Sequence, residues 1–175
     1  MEIVNIVAVA KMKELFDLEM LSDRLDNTEM APSWLKMRLK PENYYIAFYR
    51  SGKFLITGIK DIKMVNIISK RVIKLLQEKN IDNSFEMVEI KNIVMIDEIK
   101  LNSSLRDIIM SLKTASSSYE PEIFPGLFYK DVDGVSFTLF ASGKLVITGF
   151  KDPKIAKRNM EKFKKLLKSK GALLN

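Results

Sequence analysis

Residues 2–9 are β-branched and apolar with one Asn inside, a pattern that predicts a strand. Leu18, Leu21 and Leu25 then recur at helical spacing behind Asp17, a candidate N-cap, so the stretch from Asp17 to Asp26 predicts a short amphipathic helix. Met30 to Ser33 reads as a turn. Leu35 to Leu39, Tyr44 to Arg50 and Lys53 to Gly58 read as antiparallel strands, the first two joined at Pro41-Glu-Asn43. From Asp61 a long helix follows, with Ile62, Val65, Ile68, Val72, Ile73 and Leu76 expected on its buried face. The order is strand, helix, three strands, helix.

That order then recurs. The acidic and polar stretch Glu78 to Glu86 connects to a strand over 88–96, a short helix starting near Asn102, and strands over 127–131, 135–141 and 144–149. Asp152-Pro153 supplies an N-cap and a proline at the first helical position of a last helix, whose apolar stripe is Ile155, Met160, Phe163, Leu166 and Leu167. The recurrence is also written in the residues. Ser51-Gly-Lys-Phe-Leu-Ile-Thr-Gly-Ile-Lys-Asp61 returns 91 residues later as Ser142-Gly-Lys-Leu-Val-Ile-Thr-Gly-Phe-Lys-Asp152, matching at eight of eleven positions, and Ile3-Val-Asn-Ile-Val7 returns as Ile90-Lys-Asn-Ile-Val94. A period of this length is too long for stacked solenoid repeats and indicates a duplicated half-domain, with one repeat over 1–86 and the second over 87–175.

Strand parity divides the faces of each half. In Lys53 to Thr57, Phe54 and Ile56 point one way and Lys53, Leu55 and Thr57 the other. Placing Phe54, Ile56, Val4 and Ile6 under the helices leaves Asn5, Val7, Leu55 and Thr57 on the open face, and the second copy leaves Asn92, Val94, Val146 and Thr148 there. A sheet face turned to water is ordinarily polar, so this apolar face with a few amides and hydroxyls marks an interaction surface. Lys53 and Lys144 stand at its edges.

Composition narrows the chemistry. With no Cys and no His in 175 residues, disulfides, thiol nucleophiles and histidine acid–base catalysis are excluded. The formal charge of +7 favours a polyanionic partner. Lys154, Lys157, Arg158, Lys162, Lys164, Lys165, Lys168 and Lys170 crowd the last helix, where a solvated outer face and a binding surface both fit. No apolar run approaches the roughly 18 to 20 residues that span a bilayer, and a basic start with an apolar core is missing at the N-terminus, so a soluble intracellular protein without membrane partners is expected. Asp131 and Asp133 are close enough to suggest a metal site, but they fall in a predicted turn where carboxylates usually meet water. No catalytic residue, cofactor or metal is expected.

One segment makes the pattern specific. Tyr119-Glu-Pro-Glu-Ile-Phe-Pro-Gly-Leu-Phe-Tyr129, with the tandem Asn-Ile-Val strands and the two Ser-Gly-Lys hairpins, resembles the TATA-box-binding protein family, in its archaeal form and with a divergent first repeat. The resemblance covers nearly the whole chain. It implies an α+β fold in which two pseudo-symmetric repeats form one saddle-shaped curved antiparallel sheet with four helices on the convex side. It also implies a general initiation factor that binds A·T-rich promoter DNA in the minor groove and bends it.

On that resemblance Asn5, Asn92, Thr57 and Thr148 address base edges, and Val7, Val94, Leu55, Val146 and Leu127 make apolar contact. Phe124 and Phe140 are the inserted aromatics of the second copy. In the first copy the matching residue is Tyr49, the Phe-Pro-Gly segment is shortened to Pro32-Ser-Trp34-Leu35, and Trp34 is open between a displaced wedge and local packing. Arg38, Lys53, Lys130 and Lys144, with Ser51 and Ser142 at the hairpin tips, match phosphate contacts. Glu120 and Glu122 match the acidic loop that meets transcription factor B, through which RNA polymerase is reached indirectly, whereas the first copy has Ala31 and Ser33 there.

The implied location is the cytoplasm and nucleoid if archaeal, the nucleus if eukaryotic. Self-association through the open face is expected of the free protein. A divergent saddle module that binds proteins or nucleic acid without bending a promoter is the alternative that the altered first copy leaves open.

Overall fold

The computed structural model describes residues 1–81, 84–112 and 116–173. Of the connecting stretch Glu78 to Glu86, Asp82 and Asn83 lie outside the described residues. The elements in chain order are β1 (Glu2–Met12), α1 (Leu18–Arg24), β2 (Thr28–Met30), β3 (Leu35–Leu39), β4 (Tyr44–Tyr49), β5 (Lys53–Ile59), α2 (Ile62–Glu78), β6 (Phe85–Glu98), α3 (Leu105–Leu112), β7 (Ser117–Ser118), β8 (Leu127–Lys130), β9 (Ser136–Leu139), β10 (Lys144–Phe150) and α4 (Pro153–Ser169). The fold is α+β. One compact unit is Val4–Lys91, and the other joins Met1–Ile3 to the chain from Asn92 onward.

In the first unit the strands lie in the order β2-β3-β4-β5-β1, all antiparallel, and in the second β6-β10-β9-β8-β7, again antiparallel. The strand pattern fixes what each unit buries. Ile6, Ala8, Ala10 and Met12 of β1 and Phe54, Ile56 and Ile59 of β5 are buried, as are Ile93 and Met95 of β6 and Leu145 and Ile147 of β10. Over these faces α2 packs on β5 and α4 on β10.

Both long helices begin at an aspartate that satisfies the first orphan N–H groups. Asp61 accepts from Lys63 N at 2.9 Å and Asp152 from Lys154 N at 2.8 Å, with Pro153 following. α2 buries Val65, Ile68, Val72 and Leu76, together with Ser69, whose hydroxyl donates to the Val65 carbonyl at 2.8 Å. Ile62 in the first turn is exposed and Ile73 only half-buried, so the buried stripe is narrower than its apolar residues suggest. α4 buries Ala156, Asn159, Met160, Phe163 and Leu167, leaving Ile155 and Leu166 at the border. Phe163 stacks on Phe137 with centroids 4.6 Å apart and on Tyr129 at 5.0 Å.

The second short helix starts at Leu105 rather than near Asn102, because Ser104 is its cap: the hydroxyl accepts from Asp107 N at 3.2 Å and donates to the Asp107 carboxylate at 2.6 Å. Asn102 instead donates its backbone N–H to Ala172 O at 2.8 Å. β6 begins at Phe85 and continues to Glu98, longer than the periodic 88–96 core, and the short strands β2 and β7 extend the outer edges.

At each hairpin tip the glycine is compulsory. Gly52 and Gly143 have φ of +77° and +87°, and a Cβ on either would overlap a backbone carbonyl oxygen, that of Glu14 or of Ile99. Ile99 N donates to Gly143 O at 3.0 Å across this contact. Gly143→Ala is therefore expected to destabilise the protein by about 3 kcal/mol, since strain at positive φ and displacement of a backbone partner act together. Thermal unfolding of the variant checks this, and an unchanged melting temperature would contradict it.

Candidate nucleic-acid interface

In each unit the helix-free face is built around one asparagine. In β5 the register shifts between Ile6↔Ile59 and Ala8↔Ile56, and in β10 between Ile147↔Met95 and Phe150↔Ile93. Gly58 and Gly149 sit at these bulges with φ of +98° and +89°. The bulge gives each glycine N–H an asparagine as its acceptor: Gly58 N donates to Asn5 Oδ1 at 2.7 Å, and Gly149 N to Asn92 Oδ1 at 3.1 Å. The neighbouring threonines join them, with Thr57 Oγ1 3.0 Å from Asn5 Oδ1, and Thr148 Oγ1 3.2 Å from Asn92 Oδ1 and 2.9 Å from its Nδ2.

This network decides the chemistry of the amides. A backbone N–H can only donate, so the asparagine atom that faces it must be the oxygen; the NH₂ group supplies the donors, and in Asn92 one of its two N–H bonds is given to Thr148 Oγ1 at 2.9 Å, leaving the other. Each face therefore offers a fixed N–H donor ringed by half-buried Val7 and Leu55 in the first unit and Val94 and Val146 in the second.

The second unit adds three phenyl rings. Phe124 is 38% exposed; its centroid lies 5.9 Å from that of Phe140 and 5.1 Å from that of Phe128, on which it stacks. Gly126 makes the room: a Cβ there would stand 2.5 Å from Phe124 Cε1 and 2.7 Å from Thr138 Cγ2. Leu127 does not belong to this surface. It is fully buried and pairs with Leu139, whose side chain is also in the core, so the open-face residue of that strand is its neighbour Phe128, 44% exposed.

The register aligns the two units residue by residue. Leu35↔Phe48 corresponds to Leu127↔Leu139, which sets Trp34 at the place of Gly126, Lys36 at Phe128, Arg38 at Lys130, Tyr45 at Ser136 and Tyr49 at Phe140. Trp34 lies with its ring 6.4 Å from that of Tyr49, and its Nε1 donates to the Tyr45 hydroxyl at 3.1 Å. The first unit thus also presents a ring pair, with the bulk moved from before the strand to the position that the second unit keeps as glycine. The Arg38 guanidinium lies 5.0 Å over the Tyr45 ring. Lys36 is bound to Glu29 at 2.9 Å, and this hydrogen bond raises the lysine above its ordinary pKa.

Cations rim both faces. Arg38, Lys53, Lys130 and Lys144 are exposed, as are Ser51 and Ser142, and Ser142 Oγ accepts from Lys144 N at 3.3 Å. Glu120 and Glu122 are exposed on a turn in which Ile123 N and Phe124 N both donate to Glu120 O, at 3.0 and 2.9 Å, so the acidic loop also supports Phe124. In the first unit Ala31 is instead buried.

Asp131 and Asp133 are engaged elsewhere. Asp131 Oδ1 accepts from Val135 N at 2.8 Å, closing the β8–β9 turn, and Asp133 is bound by Lys162 at 2.8 Å, which holds its carboxyl below the usual range. Among the described residues no helix is long and apolar enough to cross a membrane.

Comparison with known proteins gives the family. The family described as "Transcription factor TFIID (or TATA-binding protein, TBP)" matches residues 1–79 and 87–170. A TATA-box-binding protein of Archaeoglobus fulgidus is 32% identical over 177 residues, covering 98% of this chain and 97% of its own. One from Methanocaldococcus jannaschii is 38% identical over 167 residues, covering 92% and 90%. Among solved structures, one titled "Methanococcus jannaschii TBP" matches with a TM-score of 0.81 and 33% identity, covering 96% of this chain and 98% of that one. The chain belongs to the TATA-binding protein family.

Proposed function

We propose that this protein is a general transcription initiation factor that binds A·T-rich promoter DNA in the minor groove through the open faces of its two repeats, 1–86 and 87–175. The observation that carries this reading is the pair of oriented amides. The minor groove of an A·T pair offers only acceptors, adenine N3 and thymine O2, and a G·C pair adds the guanine amino donor. Asn5 and Asn92 present donors because Gly58 and Gly149 hold their oxygens inward, and the apolar residues around them offer nothing to a guanine amino group.

The TATA-binding protein family is itself the standard example of minor-groove kinking by inserted side chains, and the partly exposed rings of Phe124 and Phe140 suit that mode here. Arg38, Lys53, Lys130 and Lys144 serve the phosphates. Glu120 and Glu122 recruit transcription factor B at the second repeat only, so assembly toward RNA polymerase acquires a direction. The site of action is the nucleoid of an archaeal cytoplasm.

Anisotropy titration of an A·T-rich and a G·C-rich duplex at two salt concentrations tests the reading. Preference for the A·T duplex of at least about a hundredfold is expected, given roughly tenfold per unfavourable base pair. Equal affinity, with a steep salt slope alone, would mean contact with the phosphate backbone only and would overturn it.

A further inference from the structure

The rings of the two open faces differ in one chemical respect. Phe124, Phe128 and Phe140 of the second repeat end in bare carbon, and the atom of Thr138 nearest to the space at Gly126 is its methyl Cγ2. In the first repeat the rings are Trp34, Tyr45 and Tyr49, at the places of Gly126, Ser136 and Phe140, and Lys36 stands at the place of Phe128. Tyr45 has its hydroxyl oxygen occupied by the Trp34 indole N–H at 3.1 Å. Tyr49 differs from its counterpart Phe140 by a phenolic oxygen on a half-buried ring.

Within the minor groove, G·C differs from A·T by one donor, the guanine amino group. Against three phenyl rings that group loses its water and gains no acceptor, which is the costly case for a polar group. Against Tyr49 it meets an oxygen with a lone pair to accept it. We propose that the first repeat tolerates a G·C pair beneath Trp34 and Tyr49 while the second repeat requires A·T. The protein's recognition site is then asymmetric, and the protein takes one orientation on it without any partner protein. This rests on the minor-groove reading above.

The test uses duplexes that share an A·T core and carry G·C at neither end, one end or both ends of it. The wild-type protein should bind the one-ended duplex within about threefold of the all-A·T one and lose about tenfold or more on the two-ended one. A lone cysteine at Lys165→Cys, on the outer face of α4 in a chain without cysteine, carries a fluorophore that reports orientation by energy transfer to one DNA end. One orientation is expected on the one-ended duplex, with the second repeat toward A·T, and two on the all-A·T duplex.

Measured against its own affinity for the all-A·T duplex, Tyr49→Phe should lose the tolerance of one-ended G·C and the fixed orientation. Phe140→Tyr should gain tolerance of the two-ended duplex. Equal weakness of the wild type on one-ended and two-ended duplexes would overturn the proposal, as would Tyr49→Phe that keeps the discrimination. If A·T and G·C duplexes bind alike throughout, the minor-groove reading itself fails, and this failure is distinguishable from the others.

Discussion

Asn92→Asp is expected to lower affinity for an A·T-rich duplex by about a hundredfold while leaving the melting temperature nearly unchanged, because the substitution separates the two faces of one side chain. The carboxylate oxygen that replaces Oδ1 still accepts from Gly149 N, now 3.1 Å away, so the bulge that organises β10 is kept. The oxygen that replaces Nδ2 turns a donor into an anion facing the acceptors of the groove floor, in the strongly negative field between two phosphate chains. Asn5→Asp should behave alike, since Gly58 N and Thr57 Oγ1 fix the same end of that amide at 2.7 and 3.0 Å. Anisotropy at constant salt measures the loss, and a change of less than about threefold would show that these amides do not face bases.

Phe124→Ala is expected to cost roughly tenfold or more in affinity and to reduce the bend at that end of the site, since a base–aromatic stack is worth about 1 to 3 kcal/mol. The ring is already displayed: it is 38% exposed, braced by Phe128 at 5.1 Å and Phe140 at 5.9 Å, and supported by the turn on the Glu120 carbonyl. Phe140→Ala should cost about as much. Trp34→Ala and Tyr49→Ala should cost less, because the Trp34 indole is tethered sideways to Tyr45 and the Tyr49 hydroxyl must stay hydrogen-bonded or wet if its ring enters a base step. Energy transfer between fluorophores at the two DNA ends reads the bend. Equal losses from all four substitutions would show that the first repeat inserts as fully as the second.

Where the chain alternates cleanly, its faces are legible from the residues alone. In β1, β5, β6 and β10 buried residues alternate with half-buried or exposed ones, and parity places Asn5, Thr57, Asn92 and Thr148 on the open side. Leu127-Phe-Tyr129 has no such alternation. Three large apolar side chains in succession carry no parity signal, and only the pairing of Leu127 with Leu139 separates the buried leucine from the exposed phenylalanine.

Trp34 is equally illegible, because its meaning depends on standing where the other repeat has Gly126, a correspondence set by register across a shortened turn. The asparagine locks are hidden for a different reason. They need the bulges at Gly58 and Gly149, and a Thr-Gly dipeptide in a strand does not say which partner its freed N–H will find. β2 and β7, of three and two residues, are too short for any period to show.

Replacing the A·T pairs of a bound duplex with inosine·cytosine tests the central claim most directly. Inosine lacks the 2-amino group of guanine, so an I·C duplex shows the minor groove of A·T and the major groove of G·C. A protein that reads donors and acceptors from Asn5 and Asn92 against an apolar surround should bind the I·C duplex within about threefold of the A·T one and far above the G·C one. Affinity for I·C that falls to the G·C level would show that the bases are not read from the minor groove and would contradict the account.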